Sequence, residues 1–81
     1  MTDLDRAILA LERRLANAPA DGRKEHAAHV ELGLTPTRYH QLLNRLLDDR
    51  AALEAEPVLV NRLRRLRASR QRSRTARRAG V

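Results

Sequence analysis

Charge is partitioned along this chain, and the partition decides which part of it can fold. Between Val58 and Val81 there are nine arginines, at positions 62, 64, 65, 67, 70, 72, 74, 77 and 78, and no acidic residue. Residues 1–57 hold the other eight bases and all ten acids. The formal charge of +7 is thus a body of −2 joined to an arm of +9. Nine like charges repel one another and gain most from a polyanion. A core must therefore come almost entirely from the first 57 residues, which we read as a helical body, with 58–81 as an arginine-rich C-terminal helix or tail. An 81-residue chain is a single domain, and one of this size buries only about 60–65 % of its unfolded surface, so the core is lean.

Residue types missing from the chain remove whole function classes. There is no Cys, Trp or Phe, and Tyr39 is the one tyrosine. That excludes a disulfide scaffold, a thiolate zinc site, a cysteine enzyme and an RNA platform of stacked aromatics. No stretch approaches the roughly 18 apolar residues of a membrane span, and the N-terminus lacks a basic-then-apolar leader, so a cytoplasmic protein with no membrane contact is expected. Asp48 and Asp49 are adjacent and diverge around a helix; as a catalytic pair they would need a pocket this short chain has little room to build. We expect no enzyme, no cofactor and no small-molecule substrate. His26 and His29 stand one helical turn apart, but a third ligand at matching spacing is not visible, so no metal site is expected.

Apolar spacing predicts an all-α fold: a small helix-turn-helix domain of three to four helices with a basic, helical or disordered C-terminal arm. Leu4, Ile8, Leu11 and Leu15 form one stripe of a first helix over about residues 3–16, with Asp3 and Asp5 at its positive dipole end. Asn17, Ala18 and Pro19 stop it. A second helix over about residues 23–32 turns Ala27 or Ala28, Val30 and Leu32 inward, and Gly33 follows where a left-handed residue is needed. Thr35 then caps a third helix with Pro36 in its first turn, and Tyr39, Leu42, Leu43, Leu46 and Leu47 make its apolar face, the tyrosine hydroxyl lying at the rim of the core. Arg50 to Ala55 forms one or two turns that return Leu53 to the core. Pro57 restarts the chain, and Val58, Leu59, Leu63 and Leu66 form a last amphipathic segment. From residue 67 on the stripe is gone, so that stretch is expected to be frayed when free and to order on a partner.

The run Ala28 to Leu43 fits a helix-turn-helix template. Ala28, Leu32, Leu34, Tyr39 and Leu42 fill its apolar slots and Gly33 its turn, while His29 occupies a slot that is usually small because two helices meet there. Apolar slots lock the third helix so that its outer face stays free to enter a major groove. That face carries Thr37, Arg38, His40, Gln41, Asn44 and Arg45, residue types that hydrogen-bond base edges. Thr35 and Thr37, at the helix N-terminus, suit phosphate oxygens. No acid occurs from Leu32 to Leu47. In the arm, Arg62, Arg64, Arg65, Arg67, Arg70, Arg72, Arg74, Arg77 and Arg78 offer many phosphate donors and no base-reading order.

These features point to a small DNA-binding protein, a transcriptional regulator or nucleoid-associated factor, with the third helix in the major groove of duplex DNA and the arm on phosphates. A homodimer is compatible, since two such domains read half-sites about 34 Å apart. The competing reading is an adaptor whose arm anchors on RNA polymerase or a ribonucleoprotein, since arginine-rich segments fold on RNA. From Lys24-Glu25 through Arg38-Tyr39 and Leu43-Asn44 to Glu56-Pro57 and Arg62-Leu63-Arg64-Arg65-Leu66-Arg67, the chain resembles a family of short actinobacterial proteins of unknown function. The likeness covers about residues 7–75, with T-R-Y, L-N-x-L and R-L-R-R-L-R as its most specific pieces. It implies the helix-turn-helix-like core and the arginine-rich arm, and brings no activity with it.

Overall fold

The computed structural model describes the backbone of residues 1–79 and the side chains of residues 1–73. Among these, five helices follow one another: α1 (Asp3–Arg14), α2 (Arg23–Leu32), α3 (Pro36–Leu47), α4 (Arg50–Ala55) and α5 (Pro57–Ala79). The protein is all-α: four helices as the apolar spacing predicts, and the basic arm as a fifth. Helices α1, α2 and α3 pack on one another, α5 lies on α3 and α4, and α4 bridges the two.

Helix α1 begins in a capping box. Thr2 Oγ1 accepts the Asp5 N–H at 3.0 Å and the Asp5 carboxylate accepts the Thr2 N–H at 2.9 Å, which satisfies two backbone donors that have no partner inside the helix. The Thr2 N–H also holds the Asp5 carboxyl below its ordinary value. The buried face of α1 is Ile8, Leu9, Leu11 and Glu12: Ile8 and Leu11 of the expected stripe, with Leu9 and Glu12 added beside them. Leu15 packs half-buried against the core as its place in the stripe predicts, while Leu4, expected inside, is 38 % exposed. The helix closes at Arg14, two residues early, with Leu15 as its C-cap.

Glycines bound α2 at both ends, Gly22 at φ 89° and Gly33 at φ 68°. At Gly33 the left-handed backbone lets its N–H reach the His29 carbonyl at 3.0 Å and the next N–H, of Leu34, reach Ala28 at 3.2 Å, closing the helix end. The contact surface of α2 is Ala28, fully buried, flanked by the half-buried Ala27 and Leu32. Val30, expected inside, stands 66 % exposed. It lies two residues from Ala28 and from Leu32, which is about 200° around a helix from each. His29, in the slot where a small residue was expected, is exposed, and Ala28 supplies the close approach.

The start of α3 is as the Thr-Pro pair requires: Thr35 Oγ1 accepts the Arg38 N–H at 3.2 Å and Pro36 sits in the first turn. Tyr39, Leu42, Leu46 and Leu47 are its buried face. Asp49 Oδ1 caps α4 through the Ala51 N–H at 2.9 Å, and the residue α4 returns to the core is Ala52, fully buried, with Leu53 half-buried beside it. Leu59 and Val60 are core residues too. The packed body therefore extends past residue 57 into the first turns of α5. Anchored there, α5 continues as helix to Ala79, where a frayed arm was expected. Packing of its first turns supplies the nucleus, and arginine and alanine are among the better helix formers. Its 23 residues make a rod about 35 Å long at 1.5 Å per residue. The further question of residues 80–81 lies outside the described residues.

Candidate functional site

The surface of α3 depends on how that helix is rolled, and a buried polar network sets the roll. Tyr39 is fully buried, and its hydroxyl donates to Glu12 Oε1 of α1 at 2.5 Å. Lys24 Nζ of α2 donates to Glu12 Oε2 at 2.8 Å. Glu12 itself is 2 % exposed. A carboxylate in that position is tolerable only with its oxygens bonded, so one side chain from each of three helices is held in a single arrangement. The hydroxyl expected at the rim is thus inside, and burial, reinforced by the bond to Glu12, pushes the Tyr39 phenol far above its ordinary range. Glu12 was missed in the sequence. Its signal was position, one turn from both Ile8 and Leu15 and on the same face, together with the only lysine in the chain.

With Tyr39 turned inward, Thr35, Thr37, Arg38, His40, Gln41, Asn44 and Arg45 are all exposed. They divide into two stripes by helical spacing. Arg38, Gln41 and Arg45, three and four apart, form an outer ridge in which neither guanidinium has a hydrogen bond or close ion pair among the described residues, although the charge of Arg45 is felt at Asp5 of α1. Thr37, His40 and Asn44 form the neighbouring stripe, which with Gln41 lines a groove of about 890 Å³ against α5 and the start of α2. In that groove two expected base-reading residues are already engaged. His40 Nε2 lies 2.9 Å from Glu25 Oε1, and Asn44 Oδ1 accepts from Arg67 at 2.7 Å. The carboxyl of Glu25 is held below its ordinary value, first by its own backbone N–H in the first turn of α2 and then by His40.

The arginines of α5 are not equivalent. Arg62 donates to the Ala16 carbonyl at 3.2 Å, just past the end of α1. Arg64 Nε donates to the Leu47 carbonyl at 2.5 Å. Arg67 donates to Asn44 and pairs with Asp48 at 2.9 Å, and this bond holds the Asp48 carboxyl below its ordinary value. All three reach the C-terminal ends of α1 and α3, where carbonyls lack helical partners and the dipole is negative. Arg65, Arg70 and Arg72 are exposed and have no such partner among the described residues. The side chains of Arg74, Arg77 and Arg78 lie outside the described residues. Among the described residues no helix is long and apolar enough to cross a membrane, and no three His, Cys, Asp or Glu cluster as metal ligands.

Fold and surface together define a small all-α protein with a cationic helical extension. The chain belongs to a family of proteins of unknown function, DUF3263, whose model matches residues 1–75. No characterised protein and no solved structure matches it.

Proposed function

We propose that this protein binds duplex DNA as a transcriptional regulator or nucleoid-associated factor, with α2, the Gly33 turn and α3 acting as a helix-turn-helix. The observation that carries the reading is the outer ridge of α3. Arg38, Gln41 and Arg45 stand in line, exposed, inside a sixteen-residue stretch without an acid (Leu32 to Leu47). Arginine grips guanine and glutamine grips adenine, each good pair discriminating by about 1–3 kcal/mol. Thr35 and Thr37 at the positive end of α3 suit phosphates, and so do Arg65, Arg70 and Arg72 on α5. His40 and Asn44, bonded within the chain, would join the contact only by giving up Glu25 and Arg67.

The test is fluorescence anisotropy of the full chain on labelled duplexes, with sequences selected from a random library. Arg38→Ala and Gln41→Ala are expected to lose sequence preference. Replacing Arg65, Arg70 and Arg72 by Gln is expected to weaken all duplexes alike. Deletion of 58–81 is a poor probe, because it removes Leu59 and Val60 from the core. Absence of duplex binding at low salt, or tighter binding to RNA than to DNA, would refute the proposal.

A further inference from the structure

We propose that the groove that α3 and α5 form with the start of α2 and the connection before it is a docking site for an acidic amphipathic helix of a partner protein. Helices α3 and α5 run antiparallel along it, since Arg64 meets Leu47 and Arg67 meets Asn44, and the end of α1, the connection through Ala16, Pro19 and Gly22 and the start of α2 close its other side. Past those bonds α5 continues along it to Arg70. A trough with an apolar floor is the shape that accepts the apolar face of one more helix.

The floor says what the occupant brings. Leu43 and Leu63 line it half-buried, and Leu66 is 42 % exposed although it continues the stripe of the buried Leu59. The walls say what charge it carries. The two carboxylates of the groove are already bonded, Glu12 to Tyr39 and Lys24 and Glu25 to His40. Arg70 has no carboxylate partner among the described residues. Net positive charge above an apolar floor is complementary to leucines flanked by glutamate or aspartate. Nucleic acid fits this groove poorly: leucines offer phosphates nothing, Tyr39 is buried and cannot stack on a base, and the imidazole that lines the groove, His40, is held by Glu25. Arg38 and Arg45 lie outside the groove, while Thr37, Gln41 and Arg70 belong to both surfaces; the inference itself does not rest on DNA binding.

The experiment uses the full chain and a set of labelled helical peptides with leucines spaced three and four apart and glutamates on the flanks, plus the same peptides with lysine for glutamate. Acidic members are expected to bind saturably and lysine members not to bind. Leu66→Glu is expected to weaken binding at least about tenfold, as loss of one buried leucine would, and Arg70→Glu to weaken it as well. Both residues are exposed, so circular dichroism should show the fold intact. Binding by no acidic peptide, equal binding by the lysine peptides, or binding indifferent to Leu66→Glu would overturn the proposal. So would self-association of the chain alone that Leu66→Glu abolishes, which would put a second copy in the groove.

Discussion

Raising the pH isolates the Tyr39 network, because the chain offers no other phenol and its arginines stay charged throughout. In the unfolded chain Tyr39 ionises near its ordinary value of about 10. In the folded protein the phenol is fully buried against the Glu12 carboxylate and keeps its proton to much higher pH. Above pH 10 the native state therefore binds one proton more than the unfolded state, so stability falls with rising pH. The limiting slope is about 1.4 kcal/mol per pH unit for one proton, and the accumulated loss by pH 11.5 is about 2 kcal/mol. Tyr39→Phe cannot show this loss. It begins lower at neutral pH, since removing a hydrogen bond to a charged, buried group costs about 1.5–3 kcal/mol. The two stability curves should thus converge as pH rises, while Lys24, present in both proteins, cancels in the difference. Urea denaturation followed by circular dichroism at several pH values, alongside phenolate absorbance, measures both sides of the argument. Ordinary phenolate titration near pH 10 with the helical signal intact, or parallel pH profiles for the two proteins, would refute it.

Other expectations rest on separate features. Ile8→Ala should cost about 2–5 kcal/mol by denaturation, because Ile8 is fully buried, whereas Leu4→Ala on the exposed first turn should cost less than about 1 kcal/mol. Gly33→Ala should cost about 1–2 kcal/mol and Gly33→Asn less; nothing stands near the added Cβ, so the whole effect comes from the φ of 68°. Asp5, Glu25 and Asp48 all have lowered carboxyl values, so their contribution is complete above the unfolded value of about 4 and is lost as pH falls through the folded values. The urea midpoint should be level from neutral pH to about 5 and fall below about 4, less steeply in Asp5→Asn. If the chain binds DNA, replacing Arg65, Arg70 and Arg72 by Gln should reduce the slope of log affinity against log salt by about 3, and Arg62→Gln should change it least.

What could be read in the sequence was punctuation and one-face patterning. Thr35-Pro36, Gly33 and the leucines of α3 are local signals whose meaning does not depend on distant contacts, and α2 and α3 begin and end where those signals fall. The roll of α1 was not readable in the same way. Its leucine spacing favours Leu4, yet Glu12 enters the core because Tyr39 and Lys24, 27 and 12 residues away, meet it there. On α2, Val30 scores as apolar wherever it points, and only the packing of Ala28 turns it out. On α3, the polar face was readable as a face. Its division into a free ridge and a groove wall was not, because α5 creates the division and nothing in α3 records where α5 lies.

That division changes what the arm's charge means. Read as sequence, nine arginines are one cationic block, and the affinity of such a block for a polyanion scales with its full charge. In the fold, Arg62, Arg64 and Arg67 are drawn to the carbonyl ends of α1 and α3. There they do for two helices what a C-terminal lysine or arginine does for its own helix, at longer range. Replacing any of them by lysine keeps the charge but gives up the planar fork, which matters most at Arg67, whose two terminal nitrogens reach Asn44 and Asp48 at once. Arg67→Lys should therefore lower stability by urea denaturation, whereas Arg70→Lys, which keeps the charge and gives up no partner among the described residues, should leave it unchanged; under the proposed DNA binding, neither change should alter affinity much. The preference of this chain for arginine over lysine thus has a structural cause in the first half of α5.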